Sequence, residues 1–112
     1  MIIKKVSETE IHETAHKVDV RKMYDKDTAQ AMHIKLMPGE ALKPHITPVD
    51  VFFYILEGNP EVLVGDKKIQ VEQDSIVESP QDIVHCLYNN TDKLARILVV
   101  KAPKPKAKAR LL

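Results

Sequence analysis

Val51-Phe52-Phe53-Tyr54-Ile55-Leu56, followed by Glu57-Gly58-Asn59-Pro60, is an unbroken run of six apolar residues closed by a glycine, an asparagine and a proline. A run this short, rich in β-branched and aromatic side chains and stopped by turn residues, predicts a strand rather than a buried helix. The same punctuation recurs on both sides of it. Val18 and Val20 make a short alternating run, and residues 31–37 stop at Pro38-Gly39. Residues 61–64 and 69–72 flank Gly65-Asp66-Lys67-Lys68, a hairpin loop in which Gly and Asp accept positive φ. Residues 75–78 end at Ser79-Pro80, residues 83–88 end at Asn89-Asn90, and residues 94–101 close the series. About eight strands with turns every 8–12 residues predict an all-β sandwich, jelly roll or barrel over residues 18–101.

Residues 51–56 and 94–100 are apolar on both faces, with Arg96 the one interruption. An antiparallel strand with one face in water alternates, so both faces of these two are expected to be covered. In a chain this small the expected cover is a second subunit, which predicts a homodimer. Residues 1–17 read as an arm. Ile2, Ile3 and Val6 suit a strand that adds to or swaps onto a sheet edge, and His12 and His16 read as exposed polar histidines on a loop rather than a metal pair on a helix face. From Ala102 the composition turns to Lys, Pro and Ala. Pro103 and Pro105 remove ladder donors, so residues 102–112 are expected to be a basic, solvated, disordered tail.

A length of 112 residues suits one domain. Seventeen Lys and Arg face sixteen Asp and Glu, a net charge of +1. Five of those cations fall in the last twelve residues, where there is no acid; the first hundred hold twelve cations against sixteen acids, a balance of −4. A mildly acidic body with five aromatic residues is a poor match for nucleic acid. No apolar run approaches the roughly 18–20 residues of a membrane span, and the start is too short and too charged for a signal peptide. The single cysteine, Cys86, excludes an internal disulfide and a cysteine-rich zinc site, and reads as a small buried hydrophobe. No phosphate loop or strand-turn-helix nucleophile can be drawn around Gly39, Gly58 and Gly65. The expectation is a cytoplasmic one-domain protein that engages neither nucleic acid nor membrane.

Two stretches carry the chemistry. The first runs Gly39, five residues, His45, Ile46, Thr47, three residues, Val51, six residues, Gly58. The second runs Asp74, five residues, Pro80, Gln81, Asp82, two residues, His85, three residues, Asn89. Each places one histidine at a strand position bounded by turn chemistry, and two histidines on separate strands of a small barrel can converge inside it. Together these stretches resemble the two motifs of the cupin superfamily, G-x5-H-x-H-x3/4-E-x6-G and G-x5-P-x-G-x2-H-x3-N, over about residues 31–100. The resemblance implies a small single-domain cupin, a double-stranded β-helix or jelly-roll barrel. It also implies a site of three His and one Glu around Mn, Fe, Ni or Zn. Both spacings are complete, but Thr47 stands for the second His, Val51 for the Glu, and Asp74 and Asp82 for two glycines.

His45 and His85 remain from that ligand set; a threonine hydroxyl is a weak ligand and a valine none. Asp50 lies one residue from the Glu position, on the opposite face of a regular strand unless a bulge near Pro48 turns it inward. His33 faces inward only if residues 31, 33 and 35 do, and the phase with Met32, Ile34 and Leu36 inward fits the apolar pattern better. The expected metal set is His45, His85 and Asp50, holding a divalent ion weakly; the alternative is a metal-free barrel with hydrogen-bonded histidines. The expected pocket has His45, Thr47 and His85 as its polar floor, with Val51, Phe53, Leu63 and Leu87 as apolar lining. Three functions stay open: a barrel binding a small-molecule ligand, a metal-dependent oxygenase or isomerase acting on a small polar or carboxylated substrate, and a structural or partner-binding dimer with a vestigial pocket. Cupins include oxygenases, isomerases, decarboxylases, sugar-binding regulators and storage proteins, so the resemblance names no reaction.

Overall fold

The computed structural model describes residues 1–112. After one 3-10 turn at Val6–Glu8 the regular structure is all strand: β1 Asp19–Lys26, β2 Ala29–Leu36, β3 His45–Ile46, β4 Val51–Glu57, β5 Glu61–Val64, β6 Lys67–Gln70, β7 Ile76–Ser79, β8 Val84–Tyr88, β9 Ala95–Lys101 and β10 Arg110–Leu111. They form two five-stranded antiparallel sheets, ordered β1-β2-β9-β4-β7 and β10-β3-β8-β5-β6, the two walls of a jelly-roll barrel. No helix is long and apolar enough to cross a membrane.

The register of β2, β9 and β4 stacks the inward side chains in layers. Gln30, Lys101 and Val51 share the first layer, Met32, Val99 and Phe53 the second, and Ile34, Ile97 and Ile55 the third, below which Leu36 faces Ala95. Leu36, Ile55, Leu87, Ala95 and Ile97 are fully buried, and each large aliphatic among them contributes about 1.5–3 kcal/mol by leaving water. One end of the barrel is therefore solid core, and the Gln30–Lys101 end opens into a cavity. β2 adopts the phase with Met32, Ile34 and Leu36 inward. His33 accordingly lies on the outer face, where Arg96 Nη1 donates to its Nε2 at 3.1 Å.

All four glycine positions of the two motifs take a left-handed backbone: Gly39 at φ 86°, Gly58 at 83°, and Asp74 and Asp82 both at 64°. Aspartate tolerates this region, so the two replacements keep the turns. Asn89 is fully buried and structural. Its Nδ2 donates to the carbonyls of Leu36 (2.8 Å) and Lys93 (2.7 Å), and its Oδ1 accepts from the Thr91 N–H and hydroxyl.

The arm is tied down at its end nearest β1: His12 N–H donates to the Val20 carbonyl, and Arg21 Nη1 donates to the carbonyls of Val6 and Thr9. Ile2 and Ile3 stay exposed, in no strand. The tail corrects the expectation of a disordered end. Lys104 pairs with Asp25 at 2.8 Å, β10 adds to the free edge of β3, and Leu112 N–H donates to the Pro44 carbonyl. Composition misled because a proline removes only its own donor. Pro103 and Pro105 precede the ladder, and Arg110 and Leu111 meet a sheet edge whose backbone groups need partners.

Gly58 has both a positive φ and no room. A Cβ there would press on the Leu94 carbonyl oxygen and lie 2.9 Å from Ala95 Cα, whereas at Gly39 it would meet nothing within 4 Å. Gly58→Ala is expected to lower unfolding free energy by more than about 2 kcal/mol, through backbone strain plus overpacking. Gly39→Ala should cost about 1 kcal/mol, from φ alone. Urea unfolding of the two variants checks the difference; equal losses would show that the β4–β9 approach is not tight.

Candidate functional site

The cavity at the open end has a volume of about 780 Å3. Its walls come from β2, β4 and β9 on one side and β3 and β8 on the other, and the arm and C-terminal segment close round its rim. Antiparallel pairing of β3 with β8 sets His45 directly opposite His85. Their rings meet edge to face at 4.5 Å between centroids, and Phe53 packs its ring against His85 at 5.2 Å. From the arm, His16 brings a third ring to 4.7 Å from His45.

The hydrogen bonds around these rings have a forced direction. Lys43 carbonyl can only accept, so His45 Nδ1 donates to it, at 2.7 Å. In the neutral ring Nε2 is then a bare acceptor, and His85 Nε2–H donates to it at 3.1 Å. His85 Nδ1 is left bare and accepts from the Ser79 hydroxyl at 2.7 Å. Thr47 Oγ1, 3.1 Å from His85 Nε2, accepts a share of the same proton. Lys43 serves twice, because its N–H donates to His16 Nδ1 at 2.9 Å. That leaves the His16 proton on Nε2.

Each ring is held neutral. Burial lowers the His85 pKa to about 3, with the charges of His45, Lys101 and His16 adding to it. Burial and then the charge of His45, with Lys101 and Lys43 behind it, take His16 to about 4. Burial also lowers His45, against the opposing pull of its bond to the Lys43 carbonyl. Lys101 is the charge common to all three. It closes the inward series Ala95, Ile97, Val99, Lys101, is only partly exposed, and has no ion-pair partner. Burial lowers its pKa too. Lys106 and Lys108 reach the same cavity, where Glu13 is the only carboxylate.

Of the residues expected at the site, His45, His85 and Thr47 converge and Phe53 forms wall. Val51 is buried in the layer with Lys101 and Ser79, and Leu87 pairs with Val62 in the solid core. Two expectations need correction. Leu63 faces outward opposite Cys86, because its neighbours Val62 and Val64 take the inward phase of β5. Asp50 is exposed, and its Oδ1 accepts the Gln81 N–H at 2.8 Å, so no bulge carries it to the histidines. Lys101 was within reach of the sequence, because it shares one face of the strand with Ala95, Ile97 and Val99. His16 was not, since its link to the site is a backbone N–H twenty-seven residues away.

A resident divalent ion does not fit these residues. Two imidazoles converge with a proton between them, no group of three or more His, Cys, Asp or Glu is placed to hold an ion, and the unpaired Lys101 ammonium bears on the same rings.

Comparison with known proteins agrees with the architecture. The family model described as the cupin domain matches residues 32–101, more than half of the chain, and the chain belongs to that family. No curated protein matches it. Among solved structures, TT1209 from Thermus thermophilus is 26% identical with a TM-score of 0.80, over 94% of this chain and 100% of that one. An RmlC-like cupin family protein from Methanocaldococcus jannaschii is 27% identical with a TM-score of 0.76, over 95% and 96%. The polyketide cyclase RemF from Streptomyces resistomycificus, 17% identical with a TM-score of 0.85 over 100% of this chain and 85% of that one, shares the fold.

Neutral burial of His85 has a pH signature. Its folded pKa of about 3 lies below the ordinary 6.5, so between those values the unfolded chain binds more protons than the folded one. Its contribution is present above pH 6.5 and is lost as pH falls through that window. Wild type is expected to lose more melting temperature between pH 7 and pH 4 than His85→Gln, which cannot titrate. Parallel curves in calorimetry would show that His85 is protonated in the fold.

Proposed function

We propose that this cupin barrel binds a small carboxylated molecule in its open end. The acid group would lie among Lys101, Lys106 and Lys108, and the remainder against Met32, Ile34, Phe53 and Val99. The observation that carries this reading is the Lys101 ammonium, drawn into a partly apolar cavity with no acid to pair it. An uncompensated charge there costs several kcal/mol, which an anionic ligand offsets. The free His16 Nε2–H supplies direction. A cavity of this size lies within the range of roughly 300–1,000 Å3 that suits a small ligand. No reaction is assigned to the pocket by this reading.

The cupin barrel is also proposed to act as a homodimer through the outer face of β4 and β9. There Phe52 lies opposite Val100 and Tyr54 opposite Leu98, all half-buried. On the same face His33 accepts from Arg96 at Nε2, so its proton is on Nδ1, a buried group without an acceptor. A second copy would cover this patch.

Three measurements test these readings. In calorimetric titrations with short carboxylic acids and their amides, the acid should bind and the amide should not. Lys101→Met should weaken acid binding at least about tenfold, the loss expected for an ion pair in a partly buried site. Equal binding of acid and amide would remove the reading. Elemental analysis of the untagged protein should find metal well below one per chain. One Mn, Fe, Ni or Zn per chain, lost in His85→Ala, would put the metal-dependent oxygenase or isomerase reading in its place. Sedimentation should give the mass of two chains, falling to one for Leu98→Lys; a wild-type monomer would end the dimer proposal.

A further inference from the structure

We propose that Lys101 is a nucleophile, and that the ligand it takes is an aldehyde or 2-oxo acid captured as an imine. The inference deepens the carboxylate reading and rests on it.

Lys101 ends the inward series of β9, in the first layer of the barrel with Gln30 and Val51 and directly above Met32, Val99 and Phe53. Its amine therefore enters the cavity from a rigid strand rather than from a loop. No carboxylate pairs with it, and its neighbours inside are the three neutral imidazoles of His16, His45 and His85. A partly buried lysine with no carboxylate paired to it gives up its proton more readily than an exposed one, and the free amine so formed is the species that attacks a carbonyl carbon. Burial lowers its pKa in the direction this requires.

The other cations are placed differently. Lys106 and Lys108 reach the cavity from the C-terminal segment and stand exposed at its rim. A 2-oxo acid carries its carboxylate on the carbon next to the carbonyl. With the carbonyl at Lys101, the two rim lysines of the same cavity are available to that carboxylate. Inside, the His45 and His85 lone pairs are taken up by their own hydrogen bonds and compete little for the electrophile.

The step balances without an oxidant or reductant. The amine nitrogen of Lys101 bonds to the carbonyl carbon, the carbonyl π pair moves to oxygen, and one amine proton follows it, giving a carbinolamine. The C–O bond then breaks, the nitrogen lone pair forms C=N, and the oxygen leaves as water with the second amine proton.

Reductive trapping reads the imine directly. The full chain is incubated with glyoxylate and sodium cyanoborohydride near neutral pH, and the adduct is located by intact mass and peptide mapping. One carboxymethyl group per chain is expected on Lys101, formed at least about tenfold faster than on any other lysine, as an activated amine would react. It should be lost in Lys101→Arg and in Lys101→Met, with the folds of both checked by circular dichroism. Label spread over lysines according to exposure, or a dominant site that persists in both variants, would overturn the proposal. Glycolate, which has the acid but no carbonyl, separates the two levels of the argument. Glycolate binding without a Lys101 adduct ends the imine and leaves the carboxylate reading; neither binding nor adduct ends both.

Discussion

The hydrogen bond from Ser79 to His85 organises the open end of this barrel. Ser79 belongs to β7 of one sheet and His85 to β8 of the other, so the bond ties the two walls together at the level of the cavity. It also starts a one-way chain. His85 passes its proton toward His45, and His45 passes its own to a carbonyl that can only accept. A further proton on either ring would set two donors against each other or remove an acceptor in use. Neutral imidazoles follow, and with them a cavity whose fixed charges are three lysines and the single carboxylate of Glu13.

The family's metal positions have been refilled rather than vacated. Thr47, where the second histidine would stand, shares the His85 proton. Val51, at the glutamate position, is packed between the backbones that carry Lys101 and Ser79. Both changes substitute groups that suit a neutral, hydrogen-bonded pair for groups that suit a cation. The layering of β2, β9 and β4 serves the same division, with Gln30 and Lys101 beside Val51 in the outermost layer and only apolar side chains beneath.

The architecture was legible because turns leave strong local marks. Gly39, Gly58, Asp74 and Asp82 fall where the backbone is left-handed, and the phase of β2 could be read from Met32, Ile34 and Leu36 alone. Half of the site was legible for the same reason, His45 and His85 being pinned by the turns before them. What stayed hidden depends on tertiary partners. Val62 and Leu63 are equally apolar, so only the observed pairing with β8 tells which faces in. His16 joins through the peptide of Lys43, which no side-chain pattern announces. The tail finds its place because β3 offers an open edge, a property of the folded sheet and not of residues 102–112.

That placement of the tail gives the molecule a polarity its net charge conceals. The chain sums to +1, yet five of its cations lie within the last twelve residues, and that segment is laid across the cavity mouth while the remaining hundred residues carry −4. The protein therefore carries a charge separation with its positive end at the entrance. An approaching anion would meet an attractive field there and a repulsive one over much of the remaining surface. Such a field acts on the rate of encounter more than on the depth of binding, and it weakens as salt shortens the screening length from about 10 Å at 0.1 M to about 3 Å at 1 M.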